Sequence, residues 1–380
     1  MRFSSFIRFL GVVALGACSA RPDAKASSKG GESAGGANGE VQPPPKPNQP
    51  ADSTIRSAPT NSNSAAGTVT PREISADTAH PRLNTGRTAH DSVSYASAIR
   101  AGGRAMTRWP AGPAALPSSI LPASRIVAYY GYPHSKKKGV LGDYPEQEML
   151  SMLDKTIAAW KAADPSTPVI PAIHLVTVVA QGAAGPGGTW NRRESAQTIE
   201  QAYKWAKSRD GLLFVDIQAG HSTLQTELPL LLKYLERPDV HLGVDPEFYM
   251  HYKREGVRPS AKVGQMMAAD VNYVIETLDK LVAEKKLPPK ILIVHRFRAD
   301  MVPDAESIHP TPRVQVVMDM DGWGPPWLKF DSYRDYIVPH PVQFTGFKLF
   351  YHNDVRKGDA LLTPIEVLRL LPRPLYIQYQ

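Results

Sequence analysis

Hydrophobic positions fall into two regimes along the chain. Before about residue 118 they are sparse and aperiodic. From Arg125 onward, short runs of apolar, β-branched and aromatic residues recur. Eight such runs, at 126–130, 169–176, 212–218, 241–247, 291–297, 314–319, 344–350 and 375–379, read as strands. The segments between them behave differently. Stretches 145–163, 194–208, 224–235 and 263–284 carry apolar residues at helical spacing; in the first, Met149, Leu150, Met152, Leu153, Ile157 and Trp160 share one face. The Pro-rich stretch 298–313 predicts no regular helix, and 332–336 and 364–370 predict short ones. Strands alternating with helices pair in parallel through right-handed crossovers. Eight such units in the roughly 260 residues after 117 match the size of a (β/α)8 barrel. An open doubly wound sheet would want a glycine-rich phosphate loop after its first strand, and Gly131-Tyr132-Pro133-His134 is not one. The predicted class is α/β: a (β/α)8 TIM-type barrel over 118–380, preceded by a disordered linker. No helix follows the eighth run, and residues 90–120 are candidates to take its place.

The first 117 residues divide in two. Arg2 and Arg8 precede the apolar run Phe9-Leu10-Gly11-Val12-Val13-Ala14-Leu15, which is too short for the ~20 residues that span a bilayer. A charged start and a short apolar segment read as a signal peptide over 1–17. From 18 to 117 Pro, Gly, Ser and Ala dominate, as in Pro43-Pro44-Pro45-Lys46-Pro47, and a tether is expected. The signal ends in Leu15-Gly16-Ala17-Cys18, which resembles the bacterial lipobox, and Cys18 is the only cysteine in the chain. That resemblance implies a diacylglyceryl group on the Cys18 thiol, cleavage before it, and anchorage in the cell envelope, at the outer membrane where the organism has one. A single cysteine also excludes a disulfide framework. The net charge of +8 is spread along the chain without a nucleic-acid motif, so it is read as a solvated basic surface with no nucleic-acid partner. A monomer is expected.

Barrel chemistry gathers at the C-terminal strand ends, and acids stand there. The third run ends Val215-Asp216-Ile217-Gln218, the fourth Val244-Asp245-Pro246-Glu247, and the sixth Met318-Asp319-Met320-Asp321. Side chains at i and i+2 of a strand share a face, so Asp245 and Glu247 are expected to enter the mouth together, beside Asp216. Crowded, partly buried carboxylates do not all ionise freely, which makes a general acid available near neutral pH. His174 and His295 lie in the second and fifth runs, and His221 and His352 follow the third and seventh. The two strand histidines and the acids could ligate a metal, but no HExxH or HxH pattern supports one, so no metal and no cofactor are assigned. Tyr129, Tyr130, Trp190, Trp323, Tyr351 and Tyr376 near the same ends suit stacking on sugar rings.

Together these features resemble exported (β/α)8 glycoside hydrolases and barrel lipoproteins grouped with them. Asp245-x-Glu247 is similar to the close of the chitinase-type motif, in which the Glu is the acid and the Asp assists the substrate's acetamido group. That motif's upstream Asp-Gly pair and further Asp are replaced here by Val240, His241 and Gly243. The expectation is therefore a lipid-anchored glycoside hydrolase of a poly- or oligosaccharide. Glu247 is its proton donor, Asp245 the group that orients and tunes it, and Asp216 or Asp319 the base or nucleophile. Gln218, His174, His295 and Asp321 join the aromatics in substrate binding. The alternatives are a non-catalytic glycan-binding lipoprotein and a metal-dependent hydrolase or phosphodiesterase.

Overall fold

The computed structural model describes residues 86–106, 112–253 and 255–380. The signal segment, Cys18 and most of the expected tether lie outside the described residues.

All eight predicted strands form. They are β1 (Arg125–Gly131), β2 (Val169–Ala180), β4 (Leu212–Ile217), β5 (Val240–Val244), β6 (Lys290–Arg296), β7 (Val314–Met320), β8 (Phe344–Leu349) and β9 (Tyr376–Tyr379); a short extra strand, β3 (Asn191–Arg193), pairs antiparallel with the end of β2. Neighbours run parallel around the sheet, and β1 bonds both β2 and β9, which closes a (β/α)8 barrel. The helices are α1 (Ala89–Ala105), α2 (Val140–Asp143), α3 (Glu146–Ala163), α4 (Ala196–Lys207), α5 (Leu224–Glu227), α6 (Leu232–Leu235), α7 (Ala268–Lys285), α8 (Pro326–Ser332) and α9 (Pro364–Leu368).

Strand alternation sorts the core into two. In β4, Leu213, Val215 and Ile217 face the helices, while Leu212 and Phe214 face inward with Ile126, Ala128, Ile291, Ile293 and Val317. The interior is apolar toward the N-terminal end of the barrel. There Gln315 of β7 accepts from the Leu121 backbone N–H at 3.1 Å and donates to its carbonyl at 2.6 Å, so the segment before β1 closes the floor. Toward the C-terminal end the inward positions turn polar, and the candidate site begins there.

Three local expectations are corrected. The helix expected over 224–235 is split, because Pro229 lacks an N–H and opens a separate 3-10 turn at Leu228–Leu230 between α5 and α6. The fourth strand stops at Val244 rather than reaching Glu247, because Pro246 starts a 3-10 turn at Pro246–Phe248. The tether does not run unbroken to Pro117: α1 is a packed helix with Tyr95 and Ala98 buried. Its Thr88/Asp91 capping box fixes its start, Arg87 pairs with Glu366 at 2.9 Å, and the Tyr95 hydroxyl donates to the Glu366 carbonyl at 2.7 Å. The His90 ring stacks on Trp327 of α8 at 4.4 Å. The helix therefore covers the outer face beside α8 and α9.

Candidate active site

Five inward strand positions meet in one buried polar layer: Tyr130 of β1, His174 of β2, Asp216 of β4, His295 of β6 and Asp319 of β7. Two glycines leave it room. A Cβ on Gly243 of β5 would stand 2.7 Å from His174 Nε2 and 2.8 Å from Asp216 Oδ1, and one on Gly346 of β8 would crowd the Asp319 carboxylate. Asp216 Oδ2 sits between two imidazoles, 3.6 Å from His174 Nε2 and 3.6 Å from His295 Nε2. His295 Nδ1 faces Asp319 Oδ2 at 3.2 Å and Asp321 Oδ2 at 3.4 Å. His174 Nδ1 meets the Tyr376 hydroxyl at 2.5 Å. Burial by itself would raise the Asp216 pKa; the flanking imidazoles outweigh it and hold the carboxylate well below its usual range. His174 is pushed down to about 4, chiefly by burial. The acids around His295 more than offset its burial and hold it well above the usual range.

Above this layer lie the groups nearest the mouth. Asp245 caps the turn after β5, its Oδ1 accepting from the Glu247 backbone N–H at 3.1 Å and its Oδ2 from the Gln218 amide at 3.1 Å; the same amide donates to the Tyr130 hydroxyl. Glu247 thus reaches the mouth on a turn, not on the strand face expected of it. Asp321 pairs with Lys348 of β8 at 2.8 Å, and that ammonium lies 3.9 Å from the centre of the Tyr130 ring. Burial, reinforced by the Asp216 and Asp321 charges, lifts Asp245 to about 7. Burial, reinforced by Asp245 and Asp321, lifts Glu247 to about 8. The mouth therefore holds two carboxyls that titrate near neutral pH, above an aspartate that stays ionised.

The expected site residues separate into those brought together and those kept apart. Glu247, Asp245, Asp216, Asp319, Asp321, Gln218, Tyr130, His174, His295 and Tyr376 share the barrel interior and its mouth. Asp216 and Asp319 are the deepest of the acids: both are 0 % exposed, whereas Asp321 is 7 % exposed and Glu247 half-buried. Tyr376 is wholly buried and holds His174 rather than a sugar. Tyr129 points outward, where its hydroxyl bonds Thr156 and Tyr351, so its ring is unavailable for stacking. Tyr351 packs on Tyr379 at 5.2 Å and borders a groove on the C-terminal face, a cavity of ≈ 290 Å³ also lined by Lys136, Tyr144 and His352. Trp190, left-handed at φ 55°, stands 6.1 Å from His221 in the loop beyond β2, and Trp323 is half-buried beneath Arg356.

Sequence reasoning missed Lys348, Gln378 and the two glycines. Lys348 carried a usable signal, since it stands on the strand face shared by Phe344 and Gly346, two residues after the glycine.

Fold and site together define a closed parallel barrel with an acid-lined mouth over a buried histidine–aspartate layer. Comparison with known proteins adds little to that. No family model matches the chain, and no curated protein matches it. Among solved structures, a ruminal GH26 endo-beta-1,4-mannanase is similar with a TM-score of 0.33 and 13% identity, over 70% of this chain. The chain spans 63% of that protein's length. A likeness of this degree carries no argument about the site.

Proposed function

We propose that the chain is an exported hydrolase of glycosidic bonds, anchored by lipid at Cys18 and working by carboxylate general acid–base catalysis at the barrel mouth. One observation carries the reading: Asp245 and Glu247, joined through the Glu247 N–H, are lifted to about 7 and about 8, so Glu247 holds a proton beside an ionising Asp245 while Asp321 beside them is ion-paired to Lys348. Glycosidic cleavage needs one carboxyl that donates a proton to the leaving oxygen and a second carboxylate across the scissile bond. Glu247, half-buried at the opening, is the donor. Asp245 holds its backbone and sustains its proton by charge. Asp321, released from Lys348 as substrate enters, is the second carboxylate in place of Asp216 or Asp319. The lipobox supports the anchor, which would keep the enzyme at the envelope where exported glycans lie.

Two measurements test this. Turnover on a panel of aryl glycosides and envelope polysaccharides should fall roughly 10²–10⁴-fold in Glu247→Gln, with ligand affinity retained. Equal turnover per folded molecule would remove Glu247 from the chemistry. For the anchor, Cys18→Ser should move the protein from the detergent-extracted membrane fraction to the soluble or unprocessed pool; unchanged fractionation overturns it.

A further inference from the structure

Three ligand atoms beneath the mouth make no hydrogen bond. His174 Nε2, Asp216 Oδ2 and His295 Nε2 are buried, accept or donate no hydrogen bond, and lie within 4.8 Å of one another. Unpaired buried polar atoms are costly singly, and here three of them, from β2, β4 and β6, converge on one point. The 3.6 Å separations on either side of Asp216 are too long for hydrogen bonds. They are close to the ~3.4 Å that two ligands keep around a tetrahedral ion with bonds of about 2.0–2.1 Å. We propose that His174, Asp216 and His295 bind one divalent transition-metal ion, of the class of Zn²⁺.

The surroundings are those of a ligand set. The Nδ1 of His295 faces Asp319 Oδ2 at 3.2 Å; with that bond kept, an ion binding at Nε2 displaces the proton there, the arrangement in which a carboxylate orients a metal-bound imidazole. His174 Nδ1 can donate to the Tyr376 hydroxyl at 2.5 Å, which frees Nε2; the Gln378 amide, whose nitrogen lies 3.1 Å from Nδ1, then gives its N–H to the same hydroxyl at 2.7 Å. The opposite tautomer would aim an N–H at Asp216 from 3.6 Å and leave it unpaired. Gly243 keeps the cradle open, since a Cβ there would occupy the space between His174 and Asp216. Two imidazoles and one carboxylate suit a borderline metal rather than Mg²⁺ or Ca²⁺, which prefer all-oxygen shells. Three protein ligands leave a fourth position for water. The ion would tie three strands together at the floor of the proposed catalytic mouth, and the inference does not depend on the glycosidase reading.

The test uses the full chain, stripped with a chelator and titrated with Co²⁺ and with Zn²⁺. Expected are one equivalent bound, visible Co²⁺ absorption of a low-coordinate nitrogen–oxygen site, and a higher melting temperature with either ion. His295→Ala should abolish the spectrum. Asp319→Asn, which keeps all three ligands, should weaken affinity about 10–100-fold and guards against a ligand variant that fails to fold. Wild-type protein that takes up neither ion, or takes them up equally in His295→Ala and Asp319→Asn, overturns the site. Because binding and melting are read rather than turnover, a failed metal site and a failed hydrolase remain distinguishable.

Discussion

Replacing Asp245 with Asn should flatten the pH dependence of stability. Asp245 is 2 % exposed and its pKa is lifted from 3.8 to about 7. In the unfolded chain the carboxyl ionises near 3.8; in the fold it holds its proton to about 7. Between those limits the folded state binds more protons, so wild-type stability must fall as pH rises, and the loss is complete above pH 7. At about 1.4 kcal/mol for each tenfold step, the span is worth ~4 kcal/mol. Asn cannot titrate and loses that slope. It also turns an amide N–H toward the Gln218 amide, a constant cost of about 1–3 kcal/mol for an unpaired buried donor. The variant should thus be less stable than wild type at pH 4.5 and equal to it or more stable at pH 8.5. Urea unfolding followed by tryptophan fluorescence, in chelator across that range, reads the difference. Stability curves that run parallel, separated by a constant amount, would refute the reasoning, because Asp245 would then be titrating as an ordinary aspartate.

Other consequences follow from the same geometry. Gly243→Ala inserts a methyl 2.7 Å from His174 Nε2, and overpacking of that kind should cost about 1–3 kcal/mol. Differential scanning calorimetry should show this as a melting temperature lower by roughly 2–12 °C; an unchanged value would mean that the polar layer yields freely. Limited proteolysis should leave a resistant fragment that begins before α1, since that helix is pinned through Arg87, Tyr95 and His90; mass spectrometry finding its first residue after 105 would contradict this.

How much of this the sequence determined differs between scaffold and site. The eight strands were legible because they are buried on both faces and read as mostly apolar runs, as in Leu212–Val215 and Val316–Met318. The acids at strand ends were legible too, since a charge closing such a run has few reasons to be there. Depth was not legible. Asp216 and Asp321 look alike in sequence, yet one lies between two imidazoles and the other faces a lysine at the mouth, a distinction set by register between strands distant along the chain. The same register brings His174 and His295, 121 positions apart, to one oxygen of the same carboxylate. Alternation along one strand is a local property and survives in the sequence. Convergence across five strands depends on barrel closure, so only the tertiary structure decided which polar residues would meet.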